Sequence, residues 1–209
     1  MPFKRVSLHE FGAPCVLRVE TVEDLPEPQP GEVRVRVLAC SAAYTDTLIR
    51  RGIYPDVKQP PPIIPGYDMI GIVDRLGEGV NAVTEGDKIA ALTITGSYSE
   101  FMVIRAAQVI KVPTSLDDVQ ALSLILSYVT AFQMLTRLAQ VQAGDRVLIH
   151  GAGGAVGNAL VQLGSVLKLT MYGTASESHH DALRTLGCHP IDYKNDDFVI
   201  AIAKYEPSG

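Results

Sequence analysis

The residues of this chain best suited to chemistry run His150-Gly151-Ala152-Gly153-Gly154-Ala155-Val156-Gly157. Counted from Gly151 and Gly153, a G-x-G-x-x-G pattern fails at Val156. Counted from Ala152 it reads A-x-G-x-x-G, with Gly154 and Gly157 in register. In such a turn the middle glycine lets the backbone approach a pyrophosphate, and the last lets a helix pack closely on a strand. Amides at the start of the following helix then face the phosphates, with the helix dipole assisting. The tip of the next strand distinguishes the nucleotides, because an NAD(H) site places an Asp or Glu there to accept from the ribose 2′-hydroxyl. That tip is Gly173-Thr174-Ala175-Ser176, neutral and small, which suits a 2′-phosphate. Glu177 stands near the acidic spacing, and the nearby cations are His179 and His180, both read as solvated helix residues rather than phosphate ligands. The pattern favours NADP(H) over NAD(H); the alternative is a structural strand–turn–helix of some other α/β protein.

These residues need a parallel strand before the turn and a helix after it. Val147-Leu148-Ile149-His150 is a short apolar run of the kind that is buried on both faces of a parallel sheet. A helix over 155–167 is expected to follow, then a strand over 169–173, a helix over 178–186, a strand over 190–193 and a helix over 196–204. That β-α-β-α-β order is one mononucleotide-binding half of a doubly wound fold. Upstream the texture differs. Val33, Val35 and Val37 alternate with Arg34 and Arg36, the period of a half-buried strand. Short β-rich runs at 69–74, 88–93, 98–104 and 109–112 are separated by turn chemistry such as Gly77-Glu78-Gly79 and Glu85-Gly86-Asp87. Many short strands predict a barrel or sandwich over residues 1–118, with the nucleotide-binding part over 119–209. Ser115, followed by Asp117 and Asp118, marks a helix start at the junction.

Bulk properties exclude several classes. The 209 residues carry a formal charge of -5 and no Lys/Arg cluster, which argues against a nucleic-acid partner. Cys15, Cys40 and Cys188 are far apart, so neither a disulfide framework nor a structural zinc site is supported, and free thiols fit a reducing, cytoplasmic setting. The N-terminal stretch lacks the apolar core of a secretory signal. Residues 121–135 are apolar but shorter than the ~20 residues a bilayer span needs, and polar residues interrupt them, so a buried helix rather than a membrane span is expected. Cys40 and His150 read as core residues.

Taken in order, these motifs resemble a family. The turn at 147–157, preceded by Gly144-Asp145 and followed by Gln162, is similar to that of quinone oxidoreductases of the zeta-crystallin type. Pro65-Gly66-Tyr67-Asp68-Met69-Ile70-Gly71, with Gly86-Asp87-Lys88-Ile89, resembles the GroES-like catalytic domain of the medium-chain dehydrogenase/reductase superfamily. Ser127-Tyr128-Val129-Thr130-Ala131-Phe132, Gly173-Thr174-Ala175-Ser176 and Pro190-Ile191-Asp192-Tyr193 look closest to the vesicle-amine-transport-protein-like branch. Ala155 departs from the family's usual glycine.

The resemblance implies a GroES-like β-barrel followed by the first half of a Rossmann sheet, and NADPH-dependent hydride transfer to quinones or α,β-unsaturated carbonyls. Cofactor residues by this correspondence are Thr130 near the nicotinamide, Tyr193 against the 2′-phosphate, and Ala152, Gly153, Gly154, Ala155, Val156, Gly157, Thr174 and Ser176 around the phosphates. Tyr44, Tyr54 and Tyr67 are implied to line the substrate cleft, Tyr44 or Tyr54 as proton donor. Asp46 and Asp68 are expected to hold structure. Zinc-dependent relatives ligate metal at positions matching Ala43, Tyr67 and Leu126, none of which can do so here, and no metal is expected. The family's second βαβ half and a C-terminal return segment are not among these residues. The resemblance therefore implies an incomplete fold, with a homodimer formed by the full-length parent. A non-catalytic nucleotide-binding role is the competing expectation.

Overall fold

The structure, a computed structural model, describes residues 1–205. The chain divides into two compact units, Met1–Leu126 and Ser127–Gly209.

The first unit opens with a hairpin, β1 (Phe3–Leu8) and β2 (Leu17–Val22), paired antiparallel from Phe3↔Val22 to Leu8↔Leu17. β3 (Glu32–Ala39) follows, then a short helix α1 (Tyr44–Arg50) and strands β4 (Asp68–Leu76), β5 (Lys88–Leu92), β6 (Phe101–Arg105) and β7 (Val109–Lys111). They form an antiparallel sheet in the order β6-β3-β4-β5-β7. The alternation in β3 works as predicted on one side: Val33 and Val35 are fully buried against Met69, Val73, Ile89 and Ile104. It departs on the other. Arg34 is buried rather than half-wet, because the 26–27 segment covers that face and its guanidinium meets Asp74 at 2.5 Å, Glu27 at 3.2 Å and the Pro26 carbonyl at 3.3 Å.

Helix α2 (Asp118–Ser123) is capped by Asp117, whose carboxylate accepts from Val119 and Gln120 amides at 2.9 Å, so Asp117 rather than Ser115 starts it. Although the sequence texture changes near residue 118, Ala121, Leu122 and Ile125 bury themselves on Ile70 and Ala90 of the first unit. Helix α3 (Leu126–Gln133) ends in a π-turn, Met134–Leu138. By length and composition Asp118–Leu138 is apolar enough to cross a bilayer. It is not the single buried helix expected. It breaks after Ser123, and Phe132 and Leu138 are exposed while Ala131 and Leu135 are buried.

In the second unit β8 (Arg146–His150), α4 (Ala155–Val166), β9 (Thr170–Ala175), α5 (His180–Thr185), β10 (Cys188–Asp192) and α6 (Phe198–Tyr205) follow in the expected order. The sheet is parallel, β10-β9-β8. Its core joins Ile149, Ala159, Leu160, Val161, Met171 and Leu183 with Ala131 and Leu135. β8 was expected to be buried on both faces, but only Ile149 is, since β8 is an edge strand among the described residues and pairs with β9 alone. His150 is likewise not a core residue: it is exposed, and its ring meets Phe198 edge-on at 5.0 Å.

Candidate functional site

The glycine turn sits where β8 ends and α4 begins. Gly151 takes φ +70°, a conformation cheap only for glycine. Its amide donates to the Thr174 hydroxyl at 3.1 Å, and the Ala152 amide donates to the Thr174 carbonyl at 2.9 Å, which lashes the turn to the tip of β9. Thr174 is itself buried, so its side chain serves the turn. Ala152 is fully buried, and its methyl lies where Gly173 leaves room: a Cβ on Gly173 would stand 2.7 Å from it. A Cβ on Gly157 would lie 2.2 Å from the Gly151 carbonyl oxygen, so α4 approaches the turn as closely as backbone allows.

Gly154 begins α4 without a side-chain cap, so the first-turn amides are open to an anion. Ala155 is exposed and Val156 half-buried at that turn. Ser176 follows β9, with its hydroxyl 3.3 Å from that of Ser178. Tyr193 follows β10, exposed, and the register Asp192↔Ala175 sets it beside Ser176. The structure thus brings the glycine turn, Thr174, Ser176 and Tyr193 to the carboxyl ends of parallel strands, where open α/β sheets bind ligands. Thr130 lies on α3, which is tied to α4 by the Tyr128 hydroxyl donating to Gln162 at 2.7 Å and Gln162 donating to Asn158 at 2.5 Å.

The three tyrosines belong to the first unit. Tyr54 and Tyr67 form a pair, hydroxyls 2.6 Å apart and rings edge-on at 5.8 Å. Tyr67 is buried among Leu8, Ile49 and Ile63, and burial, then the Tyr54 bond, pushes its phenol well above the usual range. Tyr44, the first residue of α1, is 74% exposed and stands outside that pair.

Two buried carboxylates hold the loops that carry these tyrosines. Asp46 accepts the Gly66 amide at 3.0 Å, the Ala43 amide at 2.8 Å and the Tyr98 hydroxyl at 3.3 Å, while burial raises its pKa. Asp68 accepts the Ser41 amide at 3.0 Å and hydroxyl at 2.6 Å. Both roles are structural, as the sequence suggested; Tyr98, which closes the Asp46 network, carried no local signal. Cys40 is half-buried. Among the described residues no three His, Cys, Asp or Glu side chains gather as a metal site.

Comparison with known proteins meets this geometry. Residues 29–114 match the alcohol dehydrogenase GroES-like domain. The human synaptic vesicle membrane protein VAT-1 homolog is 38% identical over 186 residues, covering 88% of this chain and 47% of that protein. Human quinone oxidoreductase is 33% identical over 205 residues, covering 97% of this chain and 62% of that protein. Among solved structures, the chain is similar to Escherichia coli quinone oxidoreductase complexed with NADPH, at TM-score 0.88 and 27% identity over 98% of this chain and 63% of the other. The chain belongs to the medium-chain dehydrogenase/reductase superfamily. Its first unit carries the superfamily's GroES-like domain, and β8–β10 with their helices form part of its Rossmann-like sheet. The chain spans about half the length of the curated relatives it matches, 47% to 62% for these two.

Proposed function

We propose that this chain is the GroES-like and first nucleotide-binding portion of an NADPH-dependent, zinc-independent reductase of quinones or α,β-unsaturated carbonyls. The observation that carries the reading is the uncapped start of α4 behind a turn that leaves no room for side chains at Gly157. NADP(H) fits these residues. Ala152–Gly157 would hold its phosphates by backbone, Thr174 would keep the turn in place, and Ser176 and Tyr193 would flank the 2′-phosphate, with Thr130 toward the nicotinamide. Bound there, the cofactor supplies a hydride to an electron-poor carbon. The protein's own share is orientation and proton delivery. Tyr67, held protonated by burial, hydrogen-bonds Tyr54, and Tyr54 offers its hydroxyl to the substrate oxygen. Tyr44, exposed at the start of α1, would line the substrate approach.

A second reading, a nucleotide-binding protein without turnover that associates with an organelle or serves structurally, is favoured by the likeness to the VAT-1 homolog, whose name places it on synaptic vesicle membranes. NADPH oxidation with a simple quinone, for the wild type and Tyr54→Phe, separates the two. Turnover that falls at least tenfold in Tyr54→Phe supports the reductase. Saturable NADPH binding with no quinone reduction by a full-length homologue supports the second reading.

A further inference from the structure

Three described residues other than glycine take a positive φ, and Ile94 stands apart among them. Gln140 and Lys168 are unbranched and follow helices, where a left-handed residue is a routine way to end. Ile94 adopts φ +66° in a loop, where its branched Cβ is crowded by its own backbone. Glycine takes this conformation without that cost, and the chain places one two residues later, Gly96 at φ +109°. Burial in the core does not account for the isoleucine either, since it is 38% exposed.

A strained residue persists only where its surroundings over-determine it, and such residues gather at functional sites. The Thr93 and Ile94 amides both donate to the Tyr67 carbonyl, at 2.8 and 3.1 Å, and the Thr93 hydroxyl donates to the Gly66 carbonyl at 2.8 Å. The Gly96 amide donates to the Ile64 carbonyl at 2.8 Å, and the Tyr98 amide to that of Pro65 at 3.0 Å. The seam is tight: a Cβ on Gly66 would stand 2.2 Å from the Ser97 hydroxyl oxygen and 2.6 Å from the Tyr98 nitrogen. Residues 93–98 are thereby fastened along 64–67, the segment that carries Tyr67 and, through its hydroxyl, the Tyr54 hydroxyl. Leu92, just ahead, packs into the cluster that holds both tyrosines.

From this we infer that Ile94 is a specificity-determining residue of the substrate site, displayed by its strained backbone beside the Tyr54–Tyr67 pair to select quinones and enones that bear a neutral apolar substituent. The inference rests on the reductase reading above and adds to it the shape of the substrate. A substituent laid against the exposed part of the side chain would take apolar surface of both partners out of water. Residues 89–99 hold no charged side chain, so this wall offers nothing to an ionic group.

The test follows NADPH oxidation with para-benzoquinone and with its tert-butyl derivative. It uses the 209-residue protein and its Ile94→Val, Ile94→Ala and Ile94→Gly variants, each checked for native circular dichroism. The quantity read is the ratio of kcat/KM, substituted over unsubstituted quinone, for each variant against wild type, so the intrinsic reactivities of the two quinones cancel. That ratio should fall about tenfold in Ile94→Ala and Ile94→Gly, the low end of what one apolar contact discriminates, and stay close to wild type in Ile94→Val. Denaturation reads the strain separately: Ile94→Gly should unfold at a higher denaturant concentration than Ile94→Ala, the reverse of the order outside the left-handed region. An unaltered ratio in the Ala and Gly variants overturns the inference. So does an equal loss on both quinones, which would make residue 94 a support for Tyr67 alone, or an Ile94→Ala protein more resistant than Ile94→Gly. Wild type that oxidises NADPH with neither quinone sinks the reductase reading as well, whereas turnover of both with a ratio indifferent to residue 94 sinks only this inference.

Discussion

Helix α4 contains two glycines, Gly157 and Gly164, and replacing the first by alanine should run against the usual rule. In an ordinary helix interior, Gly→Ala stabilises by about 1 kcal/mol. At Gly157 the new Cβ would stand 2.2 Å from the Gly151 oxygen, 2.7 Å from Ala152 Cα and 2.9 Å from the Gly151 carbonyl carbon. All three are backbone atoms of the turn, and none can rotate away. Clearing them means moving the helix or the turn by about 1 Å, an overpacking cost of about 3 kcal/mol. Net of the helix gain, Gly157→Ala should destabilise by about 2 kcal/mol. Gly164 is the control: its Cβ would meet Met171 Sδ at 2.3 Å and Cγ at 3.3 Å, the movable parts of a flexible side chain. Gly164→Ala should fall within about 1 kcal/mol of wild type. Chemical denaturation followed by far-ultraviolet circular dichroism measures both, and nucleotide titration should show affinity lost in Gly157→Ala and kept in Gly164→Ala. A Gly157→Ala protein as stable as wild type, or more stable, would refute the account of why α4 sits so close to the turn.

Asp46→Asn should lose about 2 kcal/mol of stability, since an amide NH₂ would face one of the two backbone N–H groups that Asp46 now accepts; thermal denaturation reads this. Tyr67 and Tyr98 have folded pKa values raised, by burial first, above the unfolded value near 10. Their protonated forms favour the native state, so stability measured by chemical denaturation should fall as pH climbs past about 10, and Tyr67→Phe should make that decline shallower. Glu20 is held down to about 2, chiefly by its hydrogen bond with His9, so its contribution is present above 4.5 and lost as pH falls toward about 2. The pair is partly exposed, and His9→Ala should remove less than about 1 kcal/mol of that acid dependence.

What the sequence disclosed followed from how local each constraint is. The glycine turn, the order of elements after it and the apolar side of the β3 alternation are set by neighbours a few residues apart, and the structure reproduces them; the burial of Arg34 depends on the distant Asp74 and leaves no local mark. The β1–β2 hairpin escaped because β2 is only partly buried and carries Arg18 and Glu20 among its apolar residues, which blurs the period. Helix α1 escaped because it has seven residues, and its signal, Asp46 accepting the Ala43 amide, shows only in three dimensions. The Tyr54–Tyr67 bond closes across a proline-rich loop, and the His179–Gly153 contact joins two segments separated by a whole β-α unit. Neither leaves a pattern along the chain, so both had to come from geometry.

The claim at the centre of this account is that the turn 151–157, with Thr174, Ser176 and Tyr193, forms an NADP(H) site. Titration of the folded protein with NADPH and, in parallel, NADH tests it most directly. Saturable binding with NADPH the tighter ligand is the predicted result; a soluble, folded sample that binds neither nucleotide, or binds NADH more tightly, would contradict it.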